Sequence, residues 1–202
     1  MALPALGTTT TLDAINTILA ALGESPINTL DGPLTSDVSM ALNTLNEVSK
    51  EVQSEGWVCN TEHGYPFTPT SGGEIRVSPN ISKIILPQHA LNASVVLRGT
   101  RLYDLANHTF AFSEPVLATV VFLLPFEELT ETLRRYIIIK AGRLFQDRAV
   151  GSPQLHGFHE DDEFRAYAAA RHEDAEMGRW NIQKNEQGGF LSGWNVADVL
   201  RR

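Results

Sequence analysis

The sequence predicts an α+β protein, a four-helix bundle with an inserted antiparallel β domain and an extended C-terminal tail. Three observations carry this. Apolar residues recur at helical spacing in residues 12–52 and again in 125–178. Between them lies a stretch rich in β-branched residues, prolines and glycines. After about Gly178 periodicity disappears although tryptophan and phenylalanine persist.

Taken in order, Leu12, Ile15, Ile18, Leu19 and Leu22 form the stripe of a first helix, with threonines before it as N-caps and Gly23 placed as its C′ residue. Ser36 or Asp37 can cap a second helix, whose apolar face is Val38, Ala41, Leu42, Leu45, Val48 and Val52 and which should stop at Gly56. From His63 to Leu124, the runs Ile81 to Leu86, Ser94 to Leu97, Arg101 to Asp104, Thr109 to Phe112 and Val116 to Leu124 read as strands of an antiparallel meander. Pro125 can open a third helix with Leu129, Leu133, Tyr136, Ile137, Lys140, Leu144 and Phe145 along one side. Gly151-Ser152-Pro153 then starts a fourth, with Leu155, Phe158, Phe164, Tyr167 and Ala168 as apolar positions. The expected units are residues 1–62 and 125–178 for the helices, 63–124 for the β insertion and 179–202 for the tail.

Composition narrows the function. A 202-residue chain that is 43% hydrophobic and 20% charged can bury one sizeable core. Its net charge of −8 disfavours a phosphate-neutralising surface, while like charge would keep passing DNA off a wall. The single cysteine, Cys59, permits no intrachain disulfide and reads as a small packed residue. Neither a signal peptide at the N-terminus nor a membrane-length apolar run is expected.

Signatures of catalysis are missing: there is no phosphate loop, nucleophile elbow or His-Glu-x-x-His helix. His156, His159 and His172 with the run Glu160 to Glu163 form the nearest approach to a metal site, but no third ligand is fixed by spacing, so a polar helix face is the simpler reading and neither metal nor cofactor is expected. Glu127 or Glu128 with Asp161 or Asp162 would be the acid/base candidates for a glycan hydrolase. Glu127 and Glu128 are more simply first-turn residues of the third helix. The apolar residues after Gly178, namely Trp180, Phe190, Leu191, Trp194, Val196 and Leu200, are expected to bury themselves on a partner chain such as a neighbouring subunit, with packing on their own domain as the alternative, because the helices account for their own stripes.

Residues Leu12 to Leu30 carry the pattern A-x-N-x-I-L-x-x-x-G-E-x-P-x-x-T-L, and Gln53-Ser54-Glu55-Gly56-Trp57 closes the second helix with Q-x-x-G-W. Together with Phe126 to Phe145, including Arg135-Tyr136-Ile137 and Lys140 to Gln146, and with Gly151-Ser152-Pro153, this resembles the tail tubular protein A family of short-tailed, autographivirus-type bacteriophages. The resemblance implies a structural adaptor, not an enzyme: a twelve-subunit ring in the virion's short tail, assembled in the host cytoplasm. Its implied partners are the portal protein, the tail nozzle protein (tail tubular protein B), a tail fibre and double-stranded DNA in transit, with no membrane binding. The alternatives are a tail-associated glycan hydrolase and an acidic helical protein that binds a small ligand in its bundle.

Overall fold

The computed structural model describes residues 7–86, 95–149 and 153–178, the last of these with side chains from Asp161 onward. Its described residues are mixed α and β, with antiparallel sheets. Helix α1 spans Thr11–Ala20 and α2 Ser36–Ser54; strands follow at Thr61–Phe67 (β1), Ile81–Ile85 (β2), Val95–Arg98 (β3), Arg101–Asp104 (β4) and Val116–Phe122 (β5); α3 spans Glu131–Ala149 and α4 Pro153–Met177.

Local chemistry explains the helix ends. Thr10 caps α1 by accepting from the Asp13 N–H, and the Asp13 carboxylate returns a bond to the Thr10 N–H. Gly23 and Gly56 follow α1 and α2 at φ +78° and +89°, the left-handed conformation that ends a helix without a Cβ penalty. A Cβ at position 56 would also meet the Val121 side chain at 3.3 Å, so that glycine allows close approach of β5 as well as the turn.

Ile15, Ile18 and Leu19 of α1, Val38, Ala41, Leu45, Val48 and Val52 of α2, and Leu133, Ile137, Ala141 and Phe145 of α3 form one buried cluster, joined by Ala166 and Ala170 of α4. Phe67, Ile75, Val77, Ile81, Leu102, Ala118 and Val120 form a second.

The strands do not run as a simple meander. Sheet order is β1-β5-β2, with β5 antiparallel to both neighbours, and β3 and β4 form a separate hairpin about Gly99-Thr100. The last strand takes the centre because its second half is covered on both sides: Ala118 and Val120 enter the second cluster while Val121 lies against Gly56, although Leu117 near its start is exposed. Its near-continuous apolar run, rather than an alternating one, is the pattern of a strand covered on both sides. Thr109 to Phe112 form no strand; isolated bridges tie Thr109 to Asp104 and Ala111 to Glu74.

Two helix expectations also change. Phe126–Glu128 is a short 3-10 turn and α3 begins at Glu131, so Glu127 and Glu128 precede the helix instead of occupying its first turn. On α4, among the described side chains from Asp161 onward, the buried positions are Ala166 and Ala170, while Phe164 is 70% exposed and Ala168 faces solvent. Small residues let α4 approach α3 closely, which turns Phe164 outward.

Candidate functional site

The residues that carried the family resemblance gather at structural joints. Asn16 uses its side-chain amide as a strand would use a peptide unit: Nδ2 donates to the Ile27 carbonyl at 3.0 Å and Oδ1 accepts from the Ile27 N–H at 2.8 Å. Gln53 repeats the device on Leu124, donating to its carbonyl at 3.1 Å and accepting from its N–H at 2.7 Å, and Gln53 is only 2% exposed. Asn60 donates to both the Gln53 and Phe122 carbonyls. The end of α2 and the end of β5 are thus stitched by buried amides, each satisfying backbone groups that would otherwise be stranded away from water.

Trp57 completes this joint. Its indole N–H donates to the Val52 carbonyl at 2.7 Å, and its ring packs edge-on to Tyr167 and tilted to Tyr136. The Arg171 guanidinium lies 4.2 Å from the Trp57 ring centre while its Nη2 reaches Glu55 at 2.7 Å. Cys59, half-buried beside this cluster, has its thiol pushed above the ordinary range, chiefly by burial and further by Asp174, which disfavours the reactive thiolate.

A second joint ties the start of α1 to the start of α3. The Thr9 and Thr11 hydroxyls donate to Glu131 and Glu127 respectively, and the buried Arg134 donates to the Thr9, Glu127 and Leu129 carbonyls. The threonine hydrogen bonds are the main reason that both carboxylates sit below the ordinary glutamate range.

This geometry bears on the hydrolase alternative. A general acid for glycoside cleavage needs a raised pKa, and Glu127 is shifted the other way. Asp162 neighbours Glu163, whose carboxylate pairs with Arg143, and residues 131 and 143 of α3 are separated by roughly 18 Å along the helix. A catalytic carboxylate pair needs a gap of about 5–9.5 Å. The pocket that Asp162 does line, about 160 Å³, is walled mainly by Ala21, Ile138, Ile139 and Gly142, with Thr17 and Arg143 as its other polar groups.

Among the described residues no group of three or more His, Cys, Asp or Glu side chains could hold a metal ion. The side chains of His156 and His159 lie outside the described residues, as do Trp180, Phe190, Leu191, Trp194, Val196 and Leu200. No described helix is long and apolar enough to cross a membrane.

Sequence reading missed the outward face of the β3–β4 hairpin. The Arg98 guanidinium lies 3.8 Å from the Tyr103 ring centre and that of Arg101 lies 4.3 Å from Phe110, the two rings being 4.8 Å apart. The signal was present in Arg98-Gly99-Thr100-Arg101, a turn that places two arginines opposite one another, but Phe110 enters only through the fold.

Tight joints made of motif residues, with charge and aromatic groups displayed on outer faces, describe a structural building block. Comparison with known families specifies which. The family model described as "Tail tubular protein" matches residues 12–180, and the chain belongs to the tail tubular protein family, structural components of bacteriophage tails. No curated protein matches the chain.

Proposed function

We propose that the chain is the subunit of an adaptor ring, the tail tubular protein A of a short-tailed phage, connecting the portal to the tail nozzle and lining the path of DNA. The observation that carries this reading is the extent of the family match, residues 12–180, which takes in the helices and the β segment together. In this reading residues 1–62 and 125–178 form a four-helix bundle, 63–124 are its β insertion, and 179–202 dock on the portal or a neighbouring copy. Two separate hydrophobic clusters, meeting at the Gln53 and Asn60 amides, support that division.

Twelve copies would enclose the lumen, and a chain of net charge −8 gives a wall that repels the phosphate backbone. Tail fibre and nozzle protein would seat on outer surfaces, and assembly would occur in the host cytoplasm.

The test mixes the full chain with purified portal protein and images the product. Rings of twelve copies seated on the portal are expected; monomers alone would overturn the reading. Deleting residues 179–202 should weaken portal docking while circular dichroism keeps its helical signal. Undiminished docking would remove Trp180, Phe190, Leu191, Trp194, Val196 and Leu200 from the interface.

A further inference from the structure

Leu102 is buried, so alternation along β4 turns Arg101 and Tyr103 outward. Cross-strand partners share a face, which sets Arg98 beside Arg101 and Val96 beside Tyr103. The bridge between Arg76 and Arg101 extends the same face onto residues 74–77, whose Ile75 and Val77 point into the core. This face therefore presents Arg76, Arg98 and Arg101 together with the carboxylate of Glu74, which lies 2.6 Å from Arg101 and 3.7 Å from Arg76. The Arg76 side chain is 74% exposed, and Arg98 has no carboxylate partner among the described residues.

The rings of Tyr103 and Phe110 hold the planar guanidiniums of Arg98 and Arg101; Arg101 donates from Nη1 to Glu74, while Arg98 keeps its N–H edge for a carboxylate from outside. The same contact covers the rings, so they offer no platform for nucleobases. The net charge of −8 also opposes a polyphosphate. A carboxylate-bearing protein surface is the better complement.

The chain itself displays one. Residues 1–49 contain no lysine or arginine, and Glu24, Asp31 and Asp37 in and beside the α1–α2 connection are exposed, with no ion pair among the described residues. We propose that the outward face of the β3–β4 hairpin binds the acidic α1–α2 connection of a second copy of this chain. Two unlike patches make a head-to-tail contact, the kind that closes into a ring. The proposal rests on the ring reading above and supplies one of its subunit contacts.

The test follows ring formation on the portal by the full chain, comparing wild type, the Arg76→Glu/Arg98→Glu variant and the Glu24→Lys/Asp31→Lys/Asp37→Lys variant. Each variant alone should need at least about tenfold more protein for half-assembly, and an equal mixture of the two should recover it, because every contact then pairs opposite charges. Arg98→Ala, which removes the stacked guanidinium without adding charge, should weaken assembly less than the double reversal. Both variants assembling like wild type would overturn this contact and leave the ring reading standing; a wild type that forms no ring would overturn both. Binding of a short DNA duplex that is lost in Arg76→Glu/Arg98→Glu, with ring formation unchanged, would assign the face to phosphate instead.

Discussion

Along α2 and on the β3–β4 hairpin, charged residues are used in opposite ways. Glu47, Glu51 and Glu55, one helical turn apart, each meet a cation from α3 or α4: Arg148 at 2.8 Å, Lys140 at 3.0 Å and Arg171 at 2.7 Å. On the hairpin face, Glu74 meets Arg101 and Arg76, and Arg98 is left without a carboxylate among the described residues. The α2 ladder is complete within one chain and steers helix packing. The hairpin carries more positive charge than its own chain satisfies, and such a surplus marks where a neighbour fits.

If the helical side is the closed half of the molecule, its joints should dominate stability. Trp57→Ala should have the largest effect, about 3–5 kcal/mol, since it removes a buried indole from between Tyr136 and Tyr167, and urea unfolding would measure it. Gln53→Met comes next. It strands the Leu124 N–H and C=O, both only part-buried, without opening a large cavity, at about 1–3 kcal/mol in all, and should loosen the join between α2 and β5. Faster amide exchange at Leu124 with exchange in β5 unchanged would show that the loss is local.

A smaller effect concerns the tie between the start of α1 and α3. Glu127 and Glu131 have folded-state pKa values below their unfolded ones, so their contribution is fully present above the ordinary glutamate value and is lost as pH falls through the lowered folded value. Exchange protection near Thr9 to Asp13 should therefore decline on acidification, and Thr11→Val should flatten that decline. Smallest of all, Glu51→Gln should cost about 0–1 kcal/mol, because its pair with Lys140 is largely solvated on the Glu51 side. An Arg98→Ala change should leave the unfolding midpoint alone. A large shift there would erase the contrast between ladder and hairpin, since it would make the hairpin charge structural.

Features that rest on neighbours in sequence were legible without coordinates. The stripe Val38, Ala41, Leu45, Val48 and Val52 is buried as its spacing requires, and Gly23 and Gly56 end their helices. Pairings between distant segments were not. Sheet order depends on which strand has both faces covered, and the apolar run of β5 fits an edge-to-edge meander as well as a central strand until Val121 is seen against Gly56. Alanines 166 and 170 gave a weak apolar signal beside Phe164, yet the small residues allow the α3 contact and the phenylalanine is left in solvent. The hairpin face escaped for a related reason: Arg76 and Phe110 reach it from outside the two strands, through single bridges and ring contacts.

The uneven placement of basic residues also writes a protease map. Trypsin finds no cleavage point before Lys50, which lies within α2, whereas the bond after Arg98 sits at the exposed tip of a hairpin. The free chain should be nicked there early, and the rate of that nick becomes a direct gauge of whether the tip is covered in an assembled particle.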